Sequence, residues 1–275
     1  MPEYLGYVRG GRPASPELIE EVSSRYAAIG GSSPLLARTL EQAEALRGRL
    51  PAPVYVGMRN WSPFIKDTMA QMKADGVDRI VAVCLAPQYS KLSVGFYYRR
   101  VQEAKVALVY DAEIVWTKSF HDHPLLIEAF RQRLAAVLPA DVVLLTAHSL
   151  PEKILEQRDP YDAEVRTTAR LVAESCELSA WDFAYQSQGM TGDVWLGPAV
   201  ESKLEGLAAQ GVRDVVVAPI GFVSDHVEIL YDIDVQFRNE AARLGLRLKR
   251  PESLNSSPTF IAALADVAGS RLRAS

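Results

Sequence analysis

Short runs of Val, Ile and Leu recur along the chain, and each is followed by a longer segment with helical periodicity. Continuous apolar runs are typical of strands covered on both faces, whereas apolar residues three and four positions apart indicate amphipathic helices. The pattern predicts strands over residues 54–58, 79–87, 113–120, 141–147, 183–187 and 214–222. It predicts helices over residues 16–28, 35–49, 63–74, 93–106, 124–137, 162–176, 198–209, 226–244 and 257–273. This regular alternation indicates parallel βαβ units and an α/β fold.

The apolar runs form two groups that meet near residues 125–140, so we expect two α/β halves facing a cleft. The first domain is predicted to comprise residues 1–135 together with a carboxy-terminal helix at about 255–275, and the second to comprise residues 136–254. A helix-like PEYLGYV stands near the amino terminus, where a βα half would normally begin with an apolar strand. We therefore expect either a natural start further upstream or a reduced first half with an unpaired strand edge.

Composition narrows the class of protein. The 275 residues are 48% hydrophobic and 23% charged, which is ordinary for a globular protein. The net charge of −4 gives no basic excess of the kind that nucleic-acid binding requires, so we expect no nucleic-acid partner. The amino terminus lacks the apolar core of a signal peptide, and no apolar stretch approaches the roughly 18 residues of a membrane span, so we expect a cytoplasmic protein without a transmembrane segment. Cys84 and Cys176 are too few for a CxxC metal site and are expected to be buried thiols.

Two of the most apolar runs end in polar residues that can take part in proton or metal chemistry. His148 follows DVVLLTA, and Glu228 follows DVVVAPIGFVSDHV. Chemistry in open α/β sheets gathers beyond the carboxyl ends of the strands. We therefore expect His148 and Glu228 to face each other across a cleft, although a histidine at a strand end is also a common structural residue.

The segment after the second run predicts a helix with a polar stripe. On a regular helix Glu228, Asp232 and Gln236 share one face, and His226 points elsewhere. Two carboxylates one turn apart repel each other, which raises the pKa of at least one and favours metal or proton binding. The alternative is a solvated acidic helix face.

The amino-terminal segment RYAAIGGSSPLL predicts a diglycine turn before a helix capped by Ser33, with Pro34 in its first turn. Arg9, Arg12 and Arg25 precede this turn, and guanidinium groups bind carboxylates through two hydrogen bonds. The segment is a candidate anion site, with simple helix capping as the alternative, because it contains no nucleotide-binding glycine motif.

Two histidines on alternate positions, His121 and His123, lie in SFHDHP after a predicted strand. Such a pair can bind a metal, but exposed loop histidines are commoner. Both interpretations stay open at this point.

Several segments together resemble the ferrochelatase family, the enzymes that insert ferrous iron into a porphyrin in haem biosynthesis. The matching pieces are RYAAIGGSSPL, LAPQYS, TAHSLPEK, AYQSQGMTGDVWLGP and PIGFVSDHVEILYDID, in family order over about residues 9–235. The resemblance implies a lyase with two Rossmann-like domains, parallel sheets and a porphyrin cleft between them. The SQGMTGDVWLGP stretch is more similar to the branch that uses coproporphyrin III than to the branch that uses protoporphyrin IX.

The resemblance also implies roles for individual residues. His148 and Glu228 would be catalytic and would handle the metal, with Asp232 as an outer metal ligand. The positions implied to contact the porphyrin are Arg9, Arg25, Tyr26, Ser33 and His121. We expect His148 to accept the pyrrole protons on one side while the carboxylates handle iron or protons on the other.

The chain also departs from the family pattern. The family's first strand, whose following turn carries an iron-ligating tyrosine in the coproporphyrin branch, is absent, so no axial tyrosine can be assigned. Gln236 stands where some relatives have a third carboxylate, and two cysteines are too few for the iron–sulfur cluster of some members. We therefore expect no cofactor beyond the Fe²⁺ substrate. A monomer is favoured, and the alternative functions are a non-catalytic tetrapyrrole or metal carrier and a related chelatase that uses cobalt or nickel.

Overall fold

The computed structural model describes residues 1–189 and 192–274 and has an α/β fold with parallel sheets, as predicted. Its strands are β1 (Arg79–Val83), β2 (Glu113–Thr117), β3 (Val142–His148), β4 (Trp181–Gln186), β5 (Asp214–Pro219) and β6 (Arg247–Lys249). Its helices are α1 (Pro2–Val8), α2 (Pro16–Ala28), α3 (Leu35–Arg47), α4 (Ile65–Ala74), α5 (Val94–Ala107), α6 (Pro124–Ala135), α7 (Lys153–Glu156), α8 (Tyr161–Ser175), α9 (Val200–Ala209), α10 (Val227–Leu230), α11 (Arg238–Arg243) and α12 (Pro258–Arg273). A π-helix, Asp232–Phe237, lies between α10 and α11.

The larger sheet places the candidate chemistry. Its four parallel strands have the order β4-β3-β5-β6. β3 and β5 are neighbours in the middle of the sheet, and the strand that follows each of them in sequence, β4 or β6, lies on its outer side. Ligands of open α/β sheets bind beyond the carboxyl ends of the strands at such a switch point. The inner residues of β3 and β5 are buried, as their continuous apolar runs predicted.

The smaller sheet contains β1 and β2 in parallel register. The predicted strand over 54–58 is wrong, because these residues join no sheet and Met58 forms an isolated bridge with Phe64. The carbonyl oxygens of Val54 and Val56 accept hydrogen bonds from side chains of α3 and α4. An apolar run can become a strand only where a neighbouring strand is available to satisfy its backbone.

The predicted regular helix over 226–244 is also wrong in detail, because it is divided into α10, the π-helix and α11. In the wide turn the amide of Gln236 donates to the carbonyl of Tyr231, five residues earlier, at 2.9 Å. The apolar face survives this change. Ile229, Ile233 and Phe237 are all buried in one cluster with residues of β5.

The last helix, α12, packs against α3, α6, β1 and β2. The Arg79 guanidinium, at the start of β1, donates to the carbonyls of Arg271 and Leu272 at 3.2 Å. This contact brings the end of the chain onto elements of its amino-terminal half. The division into domains at residues 135 and 254 stays a prediction. Within residues 1–189 and 192–274, no helix is long and apolar enough to cross a bilayer.

Candidate active site

His148 is the last residue of β3 and is held at three points. Its Nδ1 lies against the carbonyl oxygen of Ser149, and because a carbonyl can only accept, Nδ1 carries a proton. The Tyr161 hydroxyl donates to the His148 carbonyl at 2.8 Å. The remaining ring nitrogen, Nε2, lies 3.6 Å from Oε1 of Glu228. The geometry therefore leaves Nε2 as the atom that can gain or lose a proton.

Glu228 lies in α10 and contacts two histidines. Its second oxygen, Oε2, is 3.3 Å from Nε2 of His226. The expectation that His226 points elsewhere is wrong, because His226 precedes α10 in an extended conformation and does not follow the helical phase. The expectation that His148 and Glu228 face each other across a cleft is wrong too. Both extend from the same sheet edge and contact each other directly.

This arrangement changes the pKa values of both groups. Burial alone would lower the pKa of His148, but the charge and hydrogen bond of Glu228 raise it above its ordinary value. Burial alone would raise the pKa of Glu228, but His148 and His226 lower it well below its ordinary value. The Glu228 carboxylate therefore stabilises the imidazolium that forms when His148 accepts a proton. The side chains are 29% and 39% exposed, so a ligand can reach both.

Asp232 lies deeper, at the start of the π-helix, and is 5% exposed. Burial raises its pKa, the hydroxyl of Ser187 donates to its carboxylate and lowers it, and the nearby Glu228 charge raises it again. We predicted that repulsion between the two carboxylates raises the pKa of one of them; the pKa of Asp232 is raised, but chiefly by burial and only in smaller part by the Glu228 charge. The alternative of a solvated acidic face is wrong for Asp232. The shared face with Gln236 is also wrong, because Gln236 donates to Glu201 of α9 at 3.4 Å on the exposed side.

Residues of the amino-terminal half contact this region. The Arg25 guanidinium lies 5.4 Å from the ring centre of Tyr231, next to Asp232. The rings of Tyr26 and Tyr4 meet edge to face at 6.1 Å. Burial raises the pKa of Tyr4, as do Tyr26 and, more weakly, the Glu228 charge. Thus α1 and α2 face the segment that carries Glu228 and Asp232.

The sequence matches the family model for ferrochelatase over residues 12–272. The chain belongs to the ferrochelatase family. It is 47% identical to a protein named ferrochelatase from Acidobacterium capsulatum, over 99% of this chain and 90% of that protein. It is 37% identical to a protein named coproporphyrin III ferrochelatase from Geobacillus thermodenitrificans, over 98% of this chain and 90% of that protein.

A solved structure supports the fold alone. SirB from Bacillus subtilis with Fe³⁺ superposes with a TM-score of 0.64 at 14% identity, over 86% of this chain and 88% of that chain. The family assignment and the chelatase-like fold confirm the resemblance found in the sequence. Ferrochelatases are lyases that insert a metal ion into a porphyrin.

The other candidate porphyrin contacts of this ferrochelatase-family chain are spread over three places. Arg9 follows α1, and its Nε is buried with no hydrogen-bond partner among residues 1–189 and 192–274. Ser33 accepts from the amide of Leu35 at 3.3 Å, and α3 begins at Leu35, so the predicted capping of this helix is shifted by one residue. His121 lies 2.8 Å from the Ser119 hydroxyl, which donates to Glu164 at 2.7 Å. Their roles toward porphyrin stay predictions.

The interpretation of His121 and His123 as a metal pair is wrong. Nδ1 of His123 accepts from the amide of Leu125 at the start of α6, and its Nε2 lies 3.1 Å from Asp266. The two imidazoles therefore have different partners. Among residues 1–189 and 192–274, no three His, Cys, Asp or Glu side chains form a group that could hold a metal.

Two residues that the sequence pattern did not identify support the site from within the sheet. Gln186, at the end of β4, donates to the Glu228 carbonyl at 3.1 Å and accepts from Thr146 at 2.7 Å. Gly221 follows β5, and a Cβ there would lie 2.7 Å from Cβ and 2.8 Å from Cα of Ala147. A glycine inside an apolar strand-like run indicates a close backbone approach, so this signal was available. The polar residue at the end of β4 gave no comparable signal.

The segment on which the coproporphyrin prediction rests is partly outside the described residues. Met190 and Thr191 of SQGMTGDVWLGP are not among them. The part that follows pairs with the chain after His148, because Glu152 donates to the Val194 carbonyl and Leu196 donates to the Leu150 carbonyl. This pairing holds part of the family motif beside the candidate site.

Proposed function

We propose that this chain inserts ferrous iron into a porphyrin bound beside His148 and Glu228, with α1 and α2 on its other side. The contact of 3.6 Å between His148 Nε2 and Glu228 Oε1 at the switch point of the sheet carries this proposal. Family membership supports the reaction, since relatives carry the name ferrochelatase. The roles of individual residues are inferred from the geometry.

Metal insertion requires two pyrrole N–H protons to leave as the divalent ion binds the ring nitrogens. Because Nδ1 of His148 is committed to the Ser149 carbonyl, Nε2 is the position that accepts a proton. The resulting imidazolium is stabilised by the Glu228 carboxylate. Both residues stand on one side of the proposed porphyrin, so they act as a unit, in place of the two opposed sides expected from the sequence.

Iron is the substrate, and an incomplete ligand set suits its transfer. Carboxylate and imidazole ligands suit Fe²⁺, and Glu228, His148 and the more buried Asp232 are the proposed contacts. A closed protein cage would compete with the four nitrogens of the macrocycle. We propose that Asp232, whose pKa is raised, is an outer site for the ion or for a proton.

We propose that Arg9, Arg25, Tyr26, Ser33 and His121 contact the porphyrin, and that arginines bind its propionates. Coproporphyrin III carries four propionates and protoporphyrin IX carries two, so a larger number of charge-assisted contacts favours the former. Relatives named coproporphyrin III ferrochelatase support this preference. Comparing kcat/KM for the two porphyrins tests it, and a higher value for protoporphyrin IX would contradict it.

The main test is anaerobic metallation, followed by porphyrin absorbance after Fe²⁺ is added. His148→Ala and Glu228→Gln should bind porphyrin and lose about 10²- to 10⁴-fold in rate, the usual loss for a positioned acid–base group. His123→Ala is the matched control, because its ring pairs with Asp266 and is not among the proposed contacts of the metal or the porphyrin. Near-normal rates in both site variants would overturn the roles. Stoichiometric binding without turnover in the wild type would indicate a carrier.

Three further properties belong to the proposal. We propose no resident cofactor, because two cysteines cannot supply the usual four thiolates of an iron–sulfur cluster. We propose a cytoplasmic location, with which the two free cysteines agree. We propose a monomer. Metal analysis of the purified protein, cell fractionation and size-exclusion chromatography with light scattering test these properties in turn.

A further inference from the structure

Arg250, which follows β6, is a largely buried cation whose guanidinium binds two aspartates. Nε and Nη2 donate to the two oxygens of Asp234 at 2.9 and 2.7 Å. Nη1 lies 3.5 Å from Oδ1 of Asp225. The Arg250 side chain is 11% exposed. Such two-pronged charge-assisted contacts fix orientation as well as distance.

The two aspartates flank, in sequence, the segment that carries His226, Glu228 and Asp232. Asp225 directly precedes His226, and Asp234 lies in the π-helix two residues after Asp232. One guanidinium therefore joins both ends of the segment that carries His226, Glu228 and Asp232. We call Arg250, Asp225 and Asp234 the clasp.

Hydrogen bonds connect the clasp to other parts of the molecule. Asp225 also accepts from the hydroxyl of Ser253 at 2.7 Å and from the side-chain amide of Asn255 at 2.8 Å. Gln42, a fully buried residue of α3, donates to the Asn255 carbonyl at 2.9 Å and to the hydroxyl of Ser224 at 2.8 Å. The clasp thus connects the site segment to a helix of the amino-terminal half.

The segment between the aspartates needs such external support. It consists of α10, which is a single turn of four residues, and of a π-helix. A single helical turn is unstable by itself, and a π-turn is rare. The backbone hydrogen bonds within this segment are therefore not enough by themselves to fix where Glu228 and Asp232 point.

We propose that Arg250 is a positioning residue for metal insertion, which holds Glu228 and Asp232 against His148 by clasping both ends of their segment. The proposal rests on the proposed function. It differs from a purely structural role because loss of the clasp should lower kcat while porphyrin binding survives. A displacement of about 1 Å in a catalytic group can lower a rate by about 10²-fold.

The test compares Arg250→Met, Arg250→Lys, Asp234→Asn and the double variant R250M/D234N with the wild type. We expect kcat to fall by about 10- to 100-fold in R250M with the porphyrin KM changed less than about threefold. R250K keeps the charge but loses the two-pronged contact, so it should recover part of the loss. The double variant should be no slower than R250M, because both changes break the same contact. The double variant also keeps the test open if R250M fails to fold, because R250M removes the Arg250 ion pair from Asp225 and leaves Asp234 with only the longer 3.4 Å contact to Arg238.

Arg247→Met is the matched control. Arg247 also binds an aspartate through two nitrogens, but its partner Asp214 starts β5, at the opposite end of the strand from the site. Hydrogen exchange of amides 225–237, measured without substrate, should be faster in R250M and unchanged in R247M. A folded R250M or double variant with wild-type kcat, equal losses in R247M, or unchanged exchange in 225–237 would each overturn the proposal. If the wild type metallates no porphyrin, the proposed function fails, and exchange alone still decides whether Arg250 fixes this segment.

Discussion

Replacing Gly221 by alanine tests whether the chain after β5 must lie directly on the end of β3. The added Cβ would meet Ala147 at 2.7 Å from its Cβ and 2.8 Å from its Cα, and the second atom belongs to the backbone of the residue before His148. Carbon atoms pack at about 3.5 Å or more, so the two segments must separate by about 0.8 Å. A shift of this size between His148 and the segment leading to Glu228 should lower the metallation rate by about 10- to 100-fold.

Stability should fall in the same variant by about 1 to 3 kcal/mol, as is usual for an overpacked interior. Thermal unfolding and anaerobic metallation measure the two effects separately. Gly206→Ala is the control, because Gly206 lies in α9 and a Cβ there meets nothing within 4 Å. That change should stabilise the protein by up to about 1 kcal/mol, since alanine is the better helix former. A G221A variant with wild-type rate and melting temperature would refute the claimed close contact.

Four further predictions concern contacts of the site. Since Glu228 raises the pKa of His148, the metallation rate should rise with pH in a range above about pH 6.5. Glu228→Gln should move this rising part of the pH profile to lower pH, and an unmoved profile would contradict the coupling. The raised pKa of His148 stabilises the fold fully below about pH 6.5, and the lowered pKa of Glu228 stabilises it fully above about pH 4.5. The contribution of the pair to the free energy of unfolding, measured by chemical denaturation at several pH values, should therefore be largest between these limits. Tyr161→Phe removes the donor to the His148 carbonyl and should destabilise the protein by about 0.5 to 1.5 kcal/mol, with an unchanged denaturation midpoint as the contrary result. Glu164→Gln weakens the contacts that hold Ser119 and His121, so the porphyrin KM should rise about 3- to 10-fold; an unchanged KM would exclude a role for His121 in binding.

The sequence predicted the parts of the fold that depend on side-chain burial. β3 and β5 are buried on both faces, so their apolar runs were unambiguous, and the polar residues at their ends marked the site. The run at residues 54–58 looked equally strand-like, but pairing depends on a neighbour that local pattern does not reveal. The apolar pattern therefore predicts which faces of an element are buried more reliably than it predicts whether an extended segment joins a sheet.

Hydrogen-bond geometry explains the remaining differences. The spacing of Ile229, Ile233 and Phe237 predicted a helix correctly, but apolar spacing does not distinguish a π-turn from an α-turn. The prediction that Gln236 shares a face with Glu228 and Asp232 was therefore wrong. The contact of His226 with Glu228 was missed for a related reason, because helical phase was extended to a residue that precedes the helix.

We propose that His148 and Glu228 act together on one face of a bound porphyrin. A crystal structure of the chain with metal-free coproporphyrin III would show this arrangement. We expect Nε2 of His148 within about 3 Å of a pyrrole nitrogen, or one water away, with the Glu228 carboxylate on the same side of the ring. A porphyrin bound elsewhere, or one with these two side chains on opposite faces of the ring, would contradict it.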